Sequence, residues 1–284
     1  MGSPTSSDHG QPTAEAVHTP TTVVVPLDGS SASARSLQPA KAIARAFDAD
    51  LSLVSVVMPS FVSTVTDRIR GQAAQAGVLE PAITLDISSM APADRLLATL
   101  DDDAGILLCM ATTGRSRFGQ VLGSVAEALL RARTGPFVLI GPECRPDTFG
   151  GGGPLIVPVD GSDTADSVLG LVELWSERVA MTPRFITVVD PKDVPDGERA
   201  AGEANAVRRR AERLPGADWE VLHHTKPATA IVEHAVDVGA SMIAMATHGR
   251  TGLPRVVLGS VAMEIAHRAP CPVLVHRPLH LRTA

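Results

Sequence analysis

The sequence predicts an α/β protein of two tandem domains, each a five-stranded parallel sheet flanked by helices. Three observations support this prediction. Near-identical motifs recur in the same order in the two halves of the 284-residue chain. Short apolar runs of strand length alternate with segments whose apolar residues recur at helical spacing. A run of four glycines, Gly150 to Gly153, separates the halves.

The repeat is clearest in two pairs of motifs. VVVPLDGS (23–30) recurs as LIVPVDGS (155–162), and GSVAEALLRARTGPFVLI (123–140) recurs as GSVAMEIAHRAPCPVLVH (259–276). The first pair is 132 positions apart and the second 136, a period that predicts two domains rather than a solenoid. We therefore divide the chain into a disordered tail (1–20), a first domain (21–142), a flexible Gly-rich linker (143–153) and a second domain (154–278).

Strands are predicted at apolar runs typical of a parallel sheet that is buried on both faces. They are 23–27, 51–57, 83–87, 106–110 and 137–140, then 155–159, 185–189, 219–223, 242–246 and 272–275. Pro26 and Pro158 cannot donate to a central ladder, so each is expected at the end of its strand. Helical spacing is seen in Leu37, Ala40, Ala44 and Phe47, in Val168, Val172, Trp175 and Val179, and in Ile231, Ala235 and Val238. Pro39 is expected to kink or delay the first of these helices.

Composition excludes several classes of function. A net charge of −6, with 3% aromatic residues and no Tyr, argues against nucleic-acid binding. Cys109, Cys144 and Cys271 lack CxxC spacing and are interpreted as reduced thiols rather than disulfides or metal ligands. The longest apolar runs are strand-sized, and the first residues lack the basic start and apolar core of a signal peptide. We therefore expect a cytoplasmic protein.

The repeated motifs fall where parallel α/β sheets bind ligands, outside the carboxyl ends of the strands. Gly259-Ser260 opens a predicted helix, whose free N–H groups and positive end attract anions. Nine residues separate Gly249 from Gly259, a loop long enough to wrap a di- or triphosphate. Asp160 at the neighbouring strand tip could accept from an adenine amine or a ribose hydroxyl, or help to hold a phosphate-bound Mg²⁺.

Simpler interpretations of the same residues stay open. Ser124 followed by Glu127 matches the S-x-x-E capping box, which needs no ligand, and Ser260 could cap its helix alone. The Asp of each DGS could instead start a turn or cap the next helix. The chain has no GxxxxGK[ST] motif, no GxGxxG after the first strand and no supported Ser-His-Asp arrangement. The combination of motifs, in the same order twice, favours a nucleotide site.

These residues resemble the tandem universal stress proteins, whose pattern is G-x-x-G, nine residues, then G-S or G-T. Residues 246–249 followed by Gly259-Ser260 match this pattern, except that Ala246 replaces the first glycine. The resemblance covers about residues 21 to 278. It implies Rossmann-like domains of the adenine nucleotide alpha hydrolase type, with strand order 3-2-1-4-5. It also implies that the fifth strands, 137–140 and 272–275, meet across a pseudo-twofold axis.

The resemblance further implies ATP as the ligand, with the presence of Mg²⁺ left open. In the second half the implied binding residues are Pro158, Asp160, Val188, Met245, Ala246, His248, Gly249, Gly259, Ser260 and Val261. In the first half they are Pro26, Asp28, Val56, Met110, Ala111, Thr113, Gly114, Gly123, Ser124 and Val125.

Two departures from the family pattern affect the expected sites. Ala111 and Ala246 replace glycine, and their methyl groups are tolerable if φ is negative and obstructive if it is positive. Only eight residues separate Gly114 from Gly123, one fewer than in the second half. One residue less withdraws about 3.5 Å of reach from the loop. We therefore expect the first half to be the weaker nucleotide site.

Three functions are consistent with these residues. The leading hypothesis is an ATP-binding stress-response protein that acts through nucleotide-dependent conformation or partner binding. No residue stands out as a general base, so hydrolysis is expected to be absent or slow. The alternative is a tandem scaffold or interaction module that binds no nucleotide. The third is a nucleotide-cleaving enzyme on the related fold of the ATP pyrophosphatases. The partner, and whether tandem chains form homodimers, are left open.

Overall fold

The computed structural model describes most of the chain. It covers residues 17–79, 81–88, 90–100, 105–112, 122–145, 147–149, 152–193, 197–247 and 258–277. Most of the predicted tail therefore lies outside the described residues.

Strands and helices alternate in the first half, as predicted. The strands are β1 (Thr22–Pro26), β2 (Asp50–Val57), β3 (Ala82–Ile87), β4 (Ile106–Ala111) and β5 (Gly135–Ile140). The helices are α1 (Ser31–Ala34), α2 (Leu37–Phe47), α3 (Val62–Gln75), α4 (Pro92–Thr99) and α5 (Ser124–Ala132), with a 3-10 turn at Pro59–Phe61.

The second half repeats this arrangement. Its strands are β6 (Gly153–Pro158), β7 (Met181–Val189), β8 (Asp218–His223), β9 (Met242–Ala246) and β10 (Val273–Arg277). Its helices are α6 (Asp163–Asp166), α7 (Leu169–Val179), α8 (Gly197–Ala211), α9 (Pro227–Asp237) and α10 (Ser260–Arg268), with a 3-10 turn at Pro191–Asp193. Among the described residues, no helix combines the length and the hydrophobicity needed to cross a membrane.

The strands that the structure describes form one ten-stranded sheet, in the order β3-β2-β1-β4-β5-β10-β9-β6-β7-β8. Each half has the order 3-2-1-4-5, and the strand pairs within each half are parallel. The halves join where β5 and β10 pair antiparallel, with Val138 opposite Leu274. The expected contact between the fifth strands is therefore confirmed. It covers two sheet edges that would otherwise be exposed.

Helices cover both faces of the sheet, so successive strand residues are buried on opposite sides. Val23 and Val25 of β1 pack in the layer that contains α2 and α3, whereas Val24 packs in the layer that contains α4 and α5. All three are at most 3% exposed. Burial on both faces explains why the strands appear in the sequence as continuous apolar runs.

The first amphipathic helix begins late, as Pro39 predicts. α1 ends at Ala34 and α2 begins at Leu37, so Pro39 falls in the first turn of α2. An N–H in that turn has no partner within the helix, so its absence there removes no intrahelical bond. The predicted core positions of this helix are all buried: Leu37, Ala40, Ala44 and Phe47.

An aromatic cluster also connects the two halves, through one of the helical layers that cover the sheet. Phe47 of α2 meets Trp175 of α7 edge to face, with ring centroids 4.9 Å apart and planes at 65°. Phe149, from the segment between the halves, meets the same ring at 6.1 Å. Trp175 is completely buried. The two domains are therefore packed together as well as paired through strands.

The segment predicted as a linker is partly packed where the structure describes it. Cys144 and Phe149 are buried, and the Arg145 N–H donates to the Pro270 carbonyl at 2.9 Å. Gly153 already belongs to β6. Packing removes these two apolar side chains from water, which favours a defined path over a freely moving one. We retain 142 and 154 as the proposed domain boundaries.

The cysteines are free and buried, and burial raises their pKa values. The pKa of Cys144 rises to about 12 through burial, partly offset by a hydrogen bond with Thr148 and by the charge of Arg35. Burial, together with nearby Cys144, raises the pKa values of Cys109 and Cys271 as well. All three thiols are therefore protonated at neutral pH.

We expect the fold to lose stability as the pH rises above about 8.5, the pKa of a cysteine in an unfolded chain. A thiol whose pKa is raised on folding stabilises the fold fully below the unfolded value, and this contribution falls as the pH approaches the folded value. The loss is about 1.4 kcal/mol per pH unit for each thiol. Urea unfolding from about pH 7 to pH 10.5 measures it, and Cys144→Ser should show a shallower fall. Equal slopes for the two proteins would contradict this expectation.

Candidate functional site

The first strand of each half ends at a proline and leads into an acidic turn. β1 ends at Pro26 and β6 at Pro158, so the predicted strand ends are confirmed. Asp28 and Asp160 follow two residues later, at the carboxyl edge of each half-sheet. Both side chains are therefore held beside the region where the neighbouring central strands also end.

In the first half, Asp28 starts a tight turn. Its carboxylate accepts the Ser30 N–H at 2.8 Å and the Ser33 hydroxyl at 2.7 Å. The Ser30 hydroxyl in turn accepts the Ser33 N–H at 3.1 Å and caps α1. Gly29 has φ +75°, a conformation that favours glycine. The turn orients the carboxylate rigidly.

The second half repeats the turn. The Asp160 carboxylate accepts the N–H and the hydroxyl of Ser162 at 3.1 and 2.7 Å. Ser162 then caps α6 through the Ala165 N–H at 3.1 Å. Of the alternatives that the sequence left open for these Asp residues, the turn is therefore present in both halves. It coexists with a place in the cleft described below.

Glycines occupy the N-caps of the last helix in each half. Gly123 caps α5 and Gly259 caps α10, with φ of −58° and −60°. The Gly123 N–H donates to the Thr112 carbonyl at 2.7 Å, and the Gly259 N–H to the Thr247 carbonyl at 2.9 Å. These bonds fix the start of each helix against the end of the preceding strand.

The proposed serine caps are wrong. Ser124 and Ser260 are the first residues inside their helices, and neither helix has a side-chain cap. The reason is that the Gly123 carbonyl accepts the first helical bond, from the Glu127 N–H at 2.9 Å, which places the serine one position too late to cap. Glu127 instead pairs with Arg131 at 2.8 Å. Both serines are exposed.

The first N–H groups of these helices are open. Within the part of the chain that the structure describes, the N–H groups of 124–126 and 260–262 have no hydrogen-bond partner. Each set lies at the positive end of its helix dipole, which makes it suited to an anion. Since glycine stands in front of each set, no side chain at the cap position blocks the approach.

Each helix mouth opens into a cleft that also contains the acidic turn. The second cleft measures about 280 Å³, and the first about 920 Å³. The second brings together these sequence-predicted residues: Pro158, Asp160, Val188, Met245, Ala246, Gly259, Ser260 and Val261. The first brings together Pro26, Asp28, Val56, Met110, Ala111, Gly123, Ser124 and Val125.

The remaining predicted residues lie outside the described residues. They are Thr113, Gly114, His248 and Gly249. The alanines at the first glycine position of the motif are described. Among the described non-glycine residues only Asp48 and Ala180 have positive φ. Ala111 and Ala246 therefore have the negative φ at which a methyl group is tolerated.

Several cleft residues were not found from the sequence. Glu203 on α8 adds a second carboxylate to the second cleft. In the first cleft, Ser55 and Met58 come from β2 and its end, and Phe61 and Arg68 from the 3-10 turn and α3. No motif marks these positions, because their place in the cleft depends on how the helices fold back over the sheet.

The model of the Universal stress protein family matches the chain twice, over residues 20–140 and 153–277. The chain belongs to the universal stress protein family. Its two matches coincide with the two halves of the sheet, and each half contains one of the clefts described above. The tandem arrangement indicated by the sequence repeat is thus that of two universal stress protein domains in one chain.

Curated relatives of this universal stress protein match parts of it. A universal stress protein of Mycobacterium tuberculosis is 28% identical over 195 residues, which are 64% of this chain and 64% of that protein. Another, from Methanocaldococcus jannaschii, is 48% identical over 63 residues, 20% of this chain and 37% of that protein. The chain therefore spans less than two thirds of the length of these relatives. One from Thermus aquaticus is 32% identical over 135 residues, 43% of this chain and 97% of that protein.

Solved structures resemble this universal stress protein over most of its length. A functionally unknown protein of Pseudomonas aeruginosa has a TM-score of 0.66 at 16% identity, covering 92% of this chain and 94% of its own. A universal stress protein of Archaeoglobus fulgidus has a TM-score of 0.60 at 19% identity, covering 92% and 99%. At these identities the likeness establishes the fold.

Proposed function

We propose that the protein binds an adenine nucleotide, ATP in particular, in its second cleft. We further propose that it acts in a cytoplasmic stress response through nucleotide-dependent conformation or partner binding. One observation carries the proposal. The open N–H groups that begin α10 face the same cleft as the Asp160 turn. An anion site beside a polar strand tip is what a nucleotide needs for its phosphates and its sugar or base.

The phosphates would bind at the mouth of α10. The N–H groups of Ser260, Val261 and Ala262 point out of the helix start, and the exposed Ser260 hydroxyl adds a further donor. Charge-assisted hydrogen bonds of this kind are about twice as strong as neutral ones. Gly259 leaves the approach open because it has no side chain.

The base would lie against the apolar wall of the cleft. Ile186, Val188, Ile231 and Met245 contribute this wall, and Asp160 stands at its polar end. Ligand sites are mostly apolar with a few placed polar groups, and this cleft has that composition. Its volume of about 280 Å³ suits a base and ribose, with the phosphates extending to the helix mouth.

Magnesium fits the donors that line this cleft. Asp160 and Glu203 supply carboxylates and Ser260 a hydroxyl, the hard oxygen ligands that Mg²⁺ prefers. When bound, the ion would neutralise part of the phosphate charge. The Asp160 carboxylate is engaged by Ser162 at 2.7 Å, which favours a holding role over proton abstraction. We therefore propose little or no hydrolysis.

Nucleotide recovered from purified protein tests the proposal. Protein denatured after purification should release ATP at about one equivalent per chain, because the second cleft is expected to bind more tightly than the first. Mass spectrometry of the released nucleotide, with the protein quantified in parallel, gives its identity and stoichiometry. Release of about two equivalents would contradict the expected difference between the clefts. No released nucleotide, together with no binding of added ATP, would leave the tandem scaffold as the function.

A further inference from the structure

Three large apolar side chains surround the first cleft while still half exposed. Met58 is 55% exposed, Phe61 51% and Met90 53%, and all three line the cavity that contains Asp28. Exposed apolar side chains scattered singly are normal, but a group of them around one cavity indicates a contact surface for an apolar ligand group. Two are methionines, whose flexible side chains adapt to different shapes.

The second cleft differs at the same places. In the register of the repeat, Met58 corresponds to Asp190 and Phe61 to Asp193, and the intervening prolines, Pro59 and Pro191, coincide. The first cleft is also the larger, at about 920 Å³ against about 280 Å³. The two clefts therefore differ, and the first has the more apolar rim at these positions.

A buried hydroxyl inside the first cleft has no partner. Ser55 lines the cavity from β2 and is 1% exposed. Its Oγ makes no hydrogen bond within the described residues. Leaving a buried hydroxyl unpaired is unfavourable. A ligand oxygen that accepted a hydrogen bond from the Ser55 hydroxyl would therefore stabilise the complex.

Positive charge is available on two sides of the cavity. The open N–H groups of 124–126 lie at the start of α5, and the exposed Arg68 guanidinium reaches it from α3. Arg68 has no ion pair or hydrogen bond to any residue that the structure describes. Its side chain lies over Gly29, where Cδ is 3.4 Å from the place a Cβ would occupy. The cavity therefore combines an anion site with an apolar surface.

We propose that the first cleft binds an amphipathic phosphate that has a phosphate head, an alkyl chain and, between them, a carboxylic ester whose carbonyl oxygen can accept a hydrogen bond. The head would lie at the start of α5, and the chain would cross the ends of β1 and β2 to reach Met58 and Phe61. β4, which leads to α5, and β2 are two strand spacings apart, about 10 Å. The carbonyl oxygen of the ester would lie near Ser55. This proposal goes beyond nucleotide binding and does not depend on it.

Calorimetry on the full chain tests the apolar part of the site. Lauroyl lysophosphatidic acid, kept below its critical micelle concentration, should bind to the protein. Phe61→Ser should lower the affinity for this lipid by about tenfold or more. Leu79→Ser is the matched control, because Leu79 is 85% exposed and lies outside the cleft. ATP affinity should be the same in both variants. No binding of the lipid, or equal weakening by both substitutions, would overturn the proposal.

A second variant tests the polar contact. Ser55→Ala should weaken the binding of lauroyl lysophosphatidic acid several-fold. The affinity for dodecyl phosphate should be unchanged, since dodecyl phosphate has no ester carbonyl to accept a hydrogen bond from Ser55. Unchanged affinity for the ester would remove Ser55 from the site. If Gly259→Val abolished lipid binding, the lipid would belong to the second cleft, which would also overturn the proposal. Absence of ATP binding by the unsubstituted protein, with intact lipid binding, would count against the nucleotide proposal alone.

Discussion

Gly259→Val should lower the affinity for ATP by about 100-fold, the effect of losing about two charge-assisted hydrogen bonds. The branched side chain would stand in front of the open N–H groups of 260–262, where the phosphates are proposed to bind. Valine fits the local backbone, because φ is −60° and ψ is 158°, an extended conformation. The substitution therefore obstructs the ligand rather than straining the chain.

Calorimetry with ATP, alongside urea unfolding of the ligand-free protein, separates binding from folding in this variant. Gly123→Val is the matched control, since it places the same side chain at the corresponding cap of the first half. It should change the main ATP affinity by less than about twofold. Wild-type affinity in Gly259→Val, with the fold intact, would show that the start of α10 does not hold the phosphates.

Trp175→Ala should destabilise the protein by about 3–5 kcal/mol, the usual result of deleting a large, fully buried aromatic side chain. The indole is completely buried and makes edge-to-face contacts with Phe47 and Phe149. Its loss would leave a cavity between α2 and α7, where the helical layers of the two domains meet. Both domains should therefore be affected, not the second alone.

Urea unfolding followed by circular dichroism measures the effect of Trp175→Ala. Trp219→Ala provides the control, because Trp219 is 38% exposed on the edge strand β8. This substitution should lower the free energy of unfolding by less than about 1 kcal/mol. A loss in Trp175→Ala as small as that of Trp219→Ala would mean that the aromatic cluster does not stabilise the joint.

The order and type of the elements could be predicted because two-sided burial leaves a clear pattern. β1 appears as Val23, Val24 and Val25 in succession, since a central parallel strand needs apolar side chains on both faces. Pro26 and Pro158 marked strand ends for a chemical reason that tertiary structure cannot override, namely a missing N–H.

The capping positions could not be predicted with the same certainty. S-x-x-E fits a helix that begins at Ser124 as a cap, but a helix capped by Gly123 differs from it by one residue only. The choice depends on the Gly123 N–H finding the Thr112 carbonyl, a contact between separate segments. A local pattern does not report such a contact.

The sequence predicted the parts of the candidate site that stand in repeated motifs. It missed the residues that reach the clefts only because helices and turns pack over the strand ends. Asp28, Gly123 and their counterparts stand in recognisable sequence at strand ends and helix starts. Glu203 and Phe61 come from α8 and from a 3-10 turn, and they reach the clefts only because these elements cross the strand ends. Nothing in their own sequence neighbourhood indicates a ligand.

The antiparallel pairing of β5 with β10 places the clefts of the two domains far apart. The carboxyl ends of the strands in one half-sheet point the opposite way from those in the other, so the clefts open on opposite edges of a shared sheet. β1 and β6 are five strand spacings apart, about 24 Å. Occupants of the two clefts cannot touch one another. A single chain can thus present two separate faces, connected through the paired strands and through the contact of α2 with α7.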